Sequence, residues 1–349
     1  MLAAPAAAWA GPTVGTPIGV GTSPYAVAFT PDSLTAYVAN AGSNDVWVVD
    51  VASGTVTTII PVGAQPQFIA MNPVSPIAYV ANTVDNSISV IDTLSNSVVG
   101  ATIPVDTPVS IAFSPDGLTA YVANALLDSI VPITVATGLP GVPIDVSAYG
   151  NPESVAVSPD GALAVVTLQN ASSVVLIDLP GGTITASSPI AVGSIPWGVD
   201  ITPDSKRAVV VNLSSESVSI IDLVTQAVTA TIPLPVGSNP NFVTISPDGL
   251  TAYIDTHATN TLQVLDLTSL TLGTEIAIGP SPQFVKISPD GKTIYTANGD
   301  DTVSVITFPV PPTLAYTGVD TGREILTGLE GILLVIIGAV LLARRPRTT

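Results

Sequence analysis

The sequence predicts an all-β chain: a single seven-bladed β-propeller, closed by its own N-terminal strand and followed by a C-terminal apolar helix. Three observations lead there. A proline opens each of seven repeats, at Pro24, Pro66, Pro108, Pro152, Pro196, Pro240 and Pro282, in steps of 42, 42, 44, 44, 44 and 42 residues. A second proline, usually followed by Asp, keeps step at Pro31, Pro73, Pro115, Pro159, Pro203, Pro247 and Pro289. Each unit then carries four runs rich in Val, Ile, Thr and Ala, residues that suit a pleated, buried strand. A period of this length with four strands per unit is that of a propeller blade. One blade cannot bury both faces, so blades must stack in a ring.

The elements follow in order. Residues 1–10, MLAAPAAAWA, lie outside the repeat. Ala8-Trp9-Ala10 reads as a signal-peptidase site at the end of a signal-peptide remnant, although no basic region precedes it; the alternative is a plain Ala-rich terminus. Residues 11–308 form the propeller. In blade one, Tyr25–Thr30 is the inner strand, Thr35–Asn40 the second, Val46–Asp50 the third and Thr55–Val62 the outer, by alternation and β-branched content. Pro31-Asp32-Ser33 and its copies are tight turns, in which Gly117, Gly161, Gly249 and Gly291 tolerate positive φ. The last repeat stops at Val303–Phe308, because Pro309-Val310-Pro311-Pro312 cannot continue a central strand. Ile18–Pro24 matches Ile60–Pro66 in position, so residues 13–20 are expected to pair with Val303–Phe308 and close the ring. Residues 309–324 are a Pro-rich linker with the pentapeptide Leu314-Ala315-Tyr316-Thr317-Gly318. Residues 325–349 hold an apolar run, Ile325 to Ala343, interrupted by Glu330 and followed by Arg344, Arg345 and Arg347. Nineteen such residues just span a bilayer, with the basic tail inside.

Composition excludes several functions. The 349-residue chain has no cysteine, hence no disulfide, thiolate metal site or c-type haem attachment. Its net charge is −18, which argues against nucleic acid as a partner. His257 is the only histidine. A multi-histidine metal site is therefore excluded, and with no G-x-S-x-G elbow His257 reads as an exposed loop residue.

At Ala36-Tyr37-Val38-Ala39-Asn40 and its copies the repeat resembles the YVTN family of β-propellers over residues 12–308, with Asn40, Asn82, Asn124, Asn212 and Asn298 at the family's asparagine position. Leu168 and Thr256 depart from it, so blades four and six look divergent. The resemblance implies a secreted or surface protein. Propellers of the same fold include sugar-lactone hydrolases, so it does not fix an activity. Leu314–Gly318, the apolar run and the basic tail together resemble a cell-wall sorting signal of the L-A-x-T-G type used by class E sortases. That implies membrane insertion before sorting, cleavage between Thr317 and Gly318, and attachment to the peptidoglycan of a Gram-positive, high-GC bacterium. A plain single-span anchor is the alternative.

Chemistry is expected at the channel mouth. The residues after the opening prolines form a ring of Tyr25, Gln67, Val109, Glu153, Trp197, Asn241 and Gln283, mostly polar or aromatic in otherwise apolar strands. Three positions deeper stand Ala28, Ala70, Ala112, Ala156, Asp200, Thr244 and Lys286. There Asp200 and Lys286 read as an ion pair between strands, or less simply as a catalytic acid and lysine. Loop carboxylates Asp45, Asp85, Asp128, Glu216, Asp300 and Asp301 read as solvated. With Glu153 and Asn241 they are also the residue types that would hold a divalent cation such as Ca²⁺, and Glu153, Asn241 and Asp200 resemble the Glu, Asn and Asp set with which lactone-hydrolysing propellers hold one. No cofactor is required. The leading function is a non-enzymatic one, binding an extracellular protein or glycan or building the envelope. The alternative is a lactonase-like hydrolase with a cation at the mouth.

Overall fold

A computed structural model describes residues 11–308; the expected signal remnant, linker, sorting pentapeptide and apolar tail lie outside the described residues. Seven antiparallel sheets make seven blades. Blade one runs Pro24–Phe29, Thr35–Asn40, Asp45–Asp50 and Thr55–Pro61, each within a residue of the sequence expectation. The inner strands of successive blades pack side by side from Pro24–Phe29 round to Pro282–Ile287, which packs back on Pro24–Phe29. Among the described residues the one helical element is the 3₁₀ turn Gln169–Ala171, and no helix is long and apolar enough to cross a membrane.

The N-terminal segment closes the ring as the repeat register requires. Thr13 and Val14 pair with Thr307 and Ile306, and Ile18 and Gly19 pair with Val303 and Thr302. Gly15 N–H donates to Val305 O at 2.8 Å and Val20 N–H to Asp301 O at 3.0 Å. Ile18 and Val20 are buried. The outer strand of blade seven is therefore made by the beginning of the chain, and its third strand has no open edge.

Side-chain oxygens shape the repeated turns. Thr30 Oγ1 donates to Asp32 Oδ1 at 2.6 Å, and Asp32 Oδ1 accepts Leu34 N–H at 3.0 Å. Ser114 with Asp116, Ser158 with Asp160 and Ser246 with Asp248 repeat the arrangement. In blade two Asn72 takes the place of the pair and caps Val74 and Ser75 through Oδ1. The second-strand tyrosines wedge between blades: Tyr37, Tyr79 and Tyr295 are fully buried, and Tyr295 and Tyr79 stack 5.0 Å from Phe29 and Phe113 of the following blades.

The recurring asparagine works together with a glycine. Asn82 Nδ2 donates to Ser87 and Ser89 hydroxyls at 3.1 and 2.9 Å, and Asn212 and Asn298 make the same kind of bonds. A β-carbon on Gly63 would lie 2.7 Å from Asn82 Cγ, and one on Gly193 would lie 2.7 Å from Asn212 Cγ. In blade six Thr256 replaces the asparagine, and a β-carbon on Gly237, in the crossover before it, would meet nothing within 4 Å. Blades four and six nevertheless fold like the others, with Leu168 and Thr256 buried at the same place.

Deleting residues 11–21 removes the burial of Ile18 and Val20 and exposes Val303 and Ile306. Urea unfolding should show a loss of about 3–6 kcal/mol. Gly63→Ala forces the new methyl onto Asn82 and should cost about 1–3 kcal/mol in the same measurement, while Gly237→Ser, in open space though at positive φ, should cost less.

Candidate functional site

Every inner strand begins with an irregularity that frees a side chain for the mouth. The pairing register slips directly after the opening proline in all seven blades. The residue before that proline takes positive φ at Ser23, Gln65, Thr107, Ile195, Asn239 and Ser281. The residue after the proline thus drops out of the ladder, as in a β-bulge. Four such residues from consecutive blades, Trp197, Asn241, Gln283 and Tyr25, line one cavity of about 340 Å³ with Leu213, Asn239 and His257. Gly198 lets this arc draw tight: a β-carbon there would lie 2.8 Å from Asn241 O and from Phe242 Cα.

The polar groups of the arc converge on one carbonyl. Pro282 O accepts Asn241 Nδ2 at 3.3 Å and lies 3.1 Å from His257 Nδ1. A carbonyl only accepts, so in this contact His257 Nδ1 is the donor. His257 is half-buried in the cavity wall, which corrects the expectation of an exposed loop histidine. His257 N–H donates to Asn239 O, the bond that Ala41, Thr83, Ala125 and Leu213 make at the same place in their blades. Trp197 is held through its backbone, whose oxygen accepts Thr167 Oγ1 at 2.7 Å. Gln67 lies outside this cavity and accepts Thr83 Oγ1 at 3.1 Å.

Two acids stand beside the arc without lining its cavity: Glu153, half-buried, and Asp255, fully buried. Burial pushes Glu153 up to about 7. Burial also raises Tyr25 to about 12, aided by the negative charges of Glu153 and Asp255, so these groups share one field. Asp255, which sequence reasoning passed over, stands where Ala39, Ala81, Ala123 and Ala297 stand in other blades. It is fully buried, accepts Phe242 N–H at 2.6 Å through Oδ1, and leaves Oδ2 without a partner. Burial drives it up to about 8 against the pull of that N–H. The signal was present: an acidic residue in the otherwise uncharged second strand Thr251–Thr256, two positions before the single histidine.

The deeper ring meets a different cavity. Phe68, Phe242 and Phe284, from blades two, six and seven, bring their rings within 4.6–6.5 Å of one another near the axis. They line a second cavity of about 480 Å³, walled by the inner strands and including Ala28, Ala70, Ala112, Ala156, Asp200 and Lys286. The expected Asp200–Lys286 ion pair is absent among the described residues, where the one ion pair is Lys292 with Asp290 at 3.0 Å. Asp200 instead accepts Ile201 N–H and, across to blade six, Ile245 N–H, each at 2.9 Å. Backbone donors satisfy both oxygens, so the carboxylate stitches two blades without a cation.

The set Glu153, Asn241 and Asp200 is therefore not gathered for a metal: Asn241 lines the first cavity and Asp200 the second. Among the described residues no three His, Cys, Asp or Glu side chains are placed to hold an ion. Several loop carboxylates brace neighbouring backbone instead. Asp85 accepts Ala64 N–H at 2.6 Å, Glu216 accepts Gly237 N–H at 2.8 Å, and Asp301 accepts Ser23 N–H at 2.8 Å across the ring closure. Asp128, Glu216 and Asp301 share with Asn44, Asn86 and Asn260 a left-handed conformation before the third strand, which short polar side chains tolerate best. Leu314, Ala315, Tyr316, Thr317 and Gly318 lie outside the described residues.

These features define the class: a closed seven-bladed β-propeller with a cavity at each end of its axis. Residues 21–194 match the model of a family described as lactonase, 7-bladed beta-propeller. A chain in the structure of Kuenenia stuttgartiensis hydrazine synthase is similar at 28% identity and a TM-score of 0.75, over 82% of this chain and 97% of that one. No curated protein matches the sequence.

The buried acids give stability a distinctive pH dependence. Unfolded, Glu153 loses its proton near 4.5, and folded near 7; for Asp255 the interval runs from 3.8 to about 8. Within these intervals the folded state holds protons the unfolded state has lost, so stability falls as pH rises from about 5 to about 8. Glu153→Gln should flatten the decline between pH 5 and 7 and stabilise the protein at pH 8 by on the order of 1–3 kcal/mol. Urea unfolding at pH 5 and 8 measures it, and wild-type stability that rises over this range contradicts the assignment.

Proposed function

We propose that this propeller is a non-enzymatic binding module whose mouth cavity takes a neutral, hydroxyl-rich ligand such as a glycan terminus. The observation that carries the reading is the arc of Trp197, Asn241, Gln283, Tyr25 and His257 around about 340 Å³. Aromatic faces supply apolar contact area, while side-chain amides and an imidazole nitrogen supply directed donors and acceptors for hydroxyls. No carboxylate lines the cavity, and the nearby acids Glu153 and Asp255 are raised toward protonation, which favours a neutral ligand over a cation. Trp197 is the anchor, because aromatic side chains dominate the energetics of such sites.

A second reading is lactone hydrolysis, favoured by the family match over residues 21–194. Glu153, with a pKa of about 7 at the mouth, is suited to general acid–base work near neutral pH. Glycan-array binding followed by titration of the best hit separates the two. The binding reading expects Trp197→Ala to weaken affinity at least about tenfold, the equivalent of about 1.4 kcal/mol, with the fold intact and no turnover of lactones. Lactone hydrolysis by the wild type, lost in Glu153→Gln, replaces it with the enzymatic reading.

The location we infer is the outside of a Gram-positive cell wall. Support comes from the sequence of Leu314–Gly318, the apolar run to Ala343 and the arginines after it, together with the YVTN-like repeats. Thr317 would become the last residue, joined to peptidoglycan by sortase. Mass spectrometry of muramidase-released wall should recover a peptide ending at Thr317. A peptide that continues past Gly318 in a detergent extract would make the tail a membrane anchor.

A further inference from the structure

The second cavity has a composition that calls for a ligand of its own. Its volume of about 480 Å³ falls in the range of small-molecule sites. Its walls are inner-strand Val, Ile, Ala, Phe and Met side chains with Ser154, and among them are Phe68, Phe242 and Phe284, which directly follow Gln67, Asn241 and Gln283 of the mouth ring in the chain. Pro31, Pro73 and Pro289 of the first-to-second-strand turns rim one end, so the cavity opens on the face opposite the mouth arc. It carries two charged groups. Asp200 is already engaged, each oxygen accepting a backbone N–H. Lys286 is not: among the described residues no carboxylate pairs with its ammonium and no hydrogen bond reaches it. Of the four basic residues in the propeller it alone lines either cavity.

Lys286 also breaks the pattern of its ring, where four of the seven equivalent positions are alanine. A half-buried ammonium against aromatic and aliphatic walls costs desolvation unless an anion meets it. An apolar cavity with one unmatched cation selects an apolar molecule bearing one negative head.

We propose that this cavity is a second, separate ligand site for a medium-chain aliphatic carboxylate, its head group on Lys286 and its chain against Phe68, Phe242 and Phe284. The proposal does not depend on what the mouth cavity binds. The charge-assisted contact sets orientation, and burial of the chain supplies most of the affinity. In a protein with a net charge of −18, long-range repulsion slows entry of the anion, so binding should strengthen as salt screens the surface.

The test is isothermal titration of the full chain with octanoate, octanol and octylammonium. Octanoate should bind with one-to-one stoichiometry and at least about tenfold more tightly than either analogue. Lys286→Gln should remove that preference, and Lys286→Arg should keep it. Trp197→Ala should leave octanoate binding unchanged, which separates this site from the mouth. If Lys286→Gln does not fold, Lys286→Met keeps the aliphatic stem, and the wild-type comparison of the three ligands needs no variant. The proposal is overturned if octanoate does not bind, if octanol or octylammonium binds as tightly, or if affinity for octanoate survives removal of the Lys286 charge.

Discussion

The pairing of the first strand with the last repeat is the constraint on which the rest depends. A blade alone exposes an apolar face on each side, and an open ring of seven would leave two such faces and an unpaired strand. Thr13–Gly19 on Thr302–Thr307 turns an array into a ring. The same segment continues directly into Ser23, whose N–H is held by Asp301 of blade seven, and then into Tyr25. Closure thereby sets Tyr25 beside Gln283 in the mouth cavity. The mouth cavity is a consequence of how the ring is fastened.

The two ends of the axis are built on one principle with opposite results. At the mouth, bulges release amide and aromatic side chains from four consecutive blades, beside Glu153 and Asp255, two acids raised toward protonation. At the other end, regular pairing resumes and the ring is alanine apart from Asp200, Thr244 and Lys286. Three phenylalanines from blades two, six and seven lie near the axis, opposite positions held by Ala26, Ser110, Ser154 and Gly198. This asymmetry gives each cavity its own chemistry.

Much of the architecture was legible in the sequence, because each blade repeats the same local solution. The proline steps, the Asp-capped turns and the missing outer strand led to blade boundaries within a residue and to the correct closing partner. The ring after the opening prolines was legible for the same reason, and four of its members do share a cavity. What failed involved side-chain geometry that no repeat encodes. Asp200 and Lys286 looked like partners because both are charged at equivalent positions, but a backbone N–H from blade six lies closer to Asp200 than any lysine. The loop acids read as solvated, with cation ligation as the lesser alternative, whereas several occupy a left-handed turn position or brace a neighbouring crossover. His257 looked exposed because it sits in a loop, and Asp255 was hidden because one acidic residue in a strand does not disturb its periodicity.

Native-state hydrogen exchange of Gly15 and Val20 tests the closure account most directly. Both amides donate to blade seven, at 2.8 and 3.0 Å. If closure is part of the cooperative core, they exchange as slowly as the amides of Thr35–Asn40 and Thr293–Asn298 in the flanking blades. Exchange at the rate of a fraying edge, with those central strands still protected, would contradict it and show that the ring holds without its first strand.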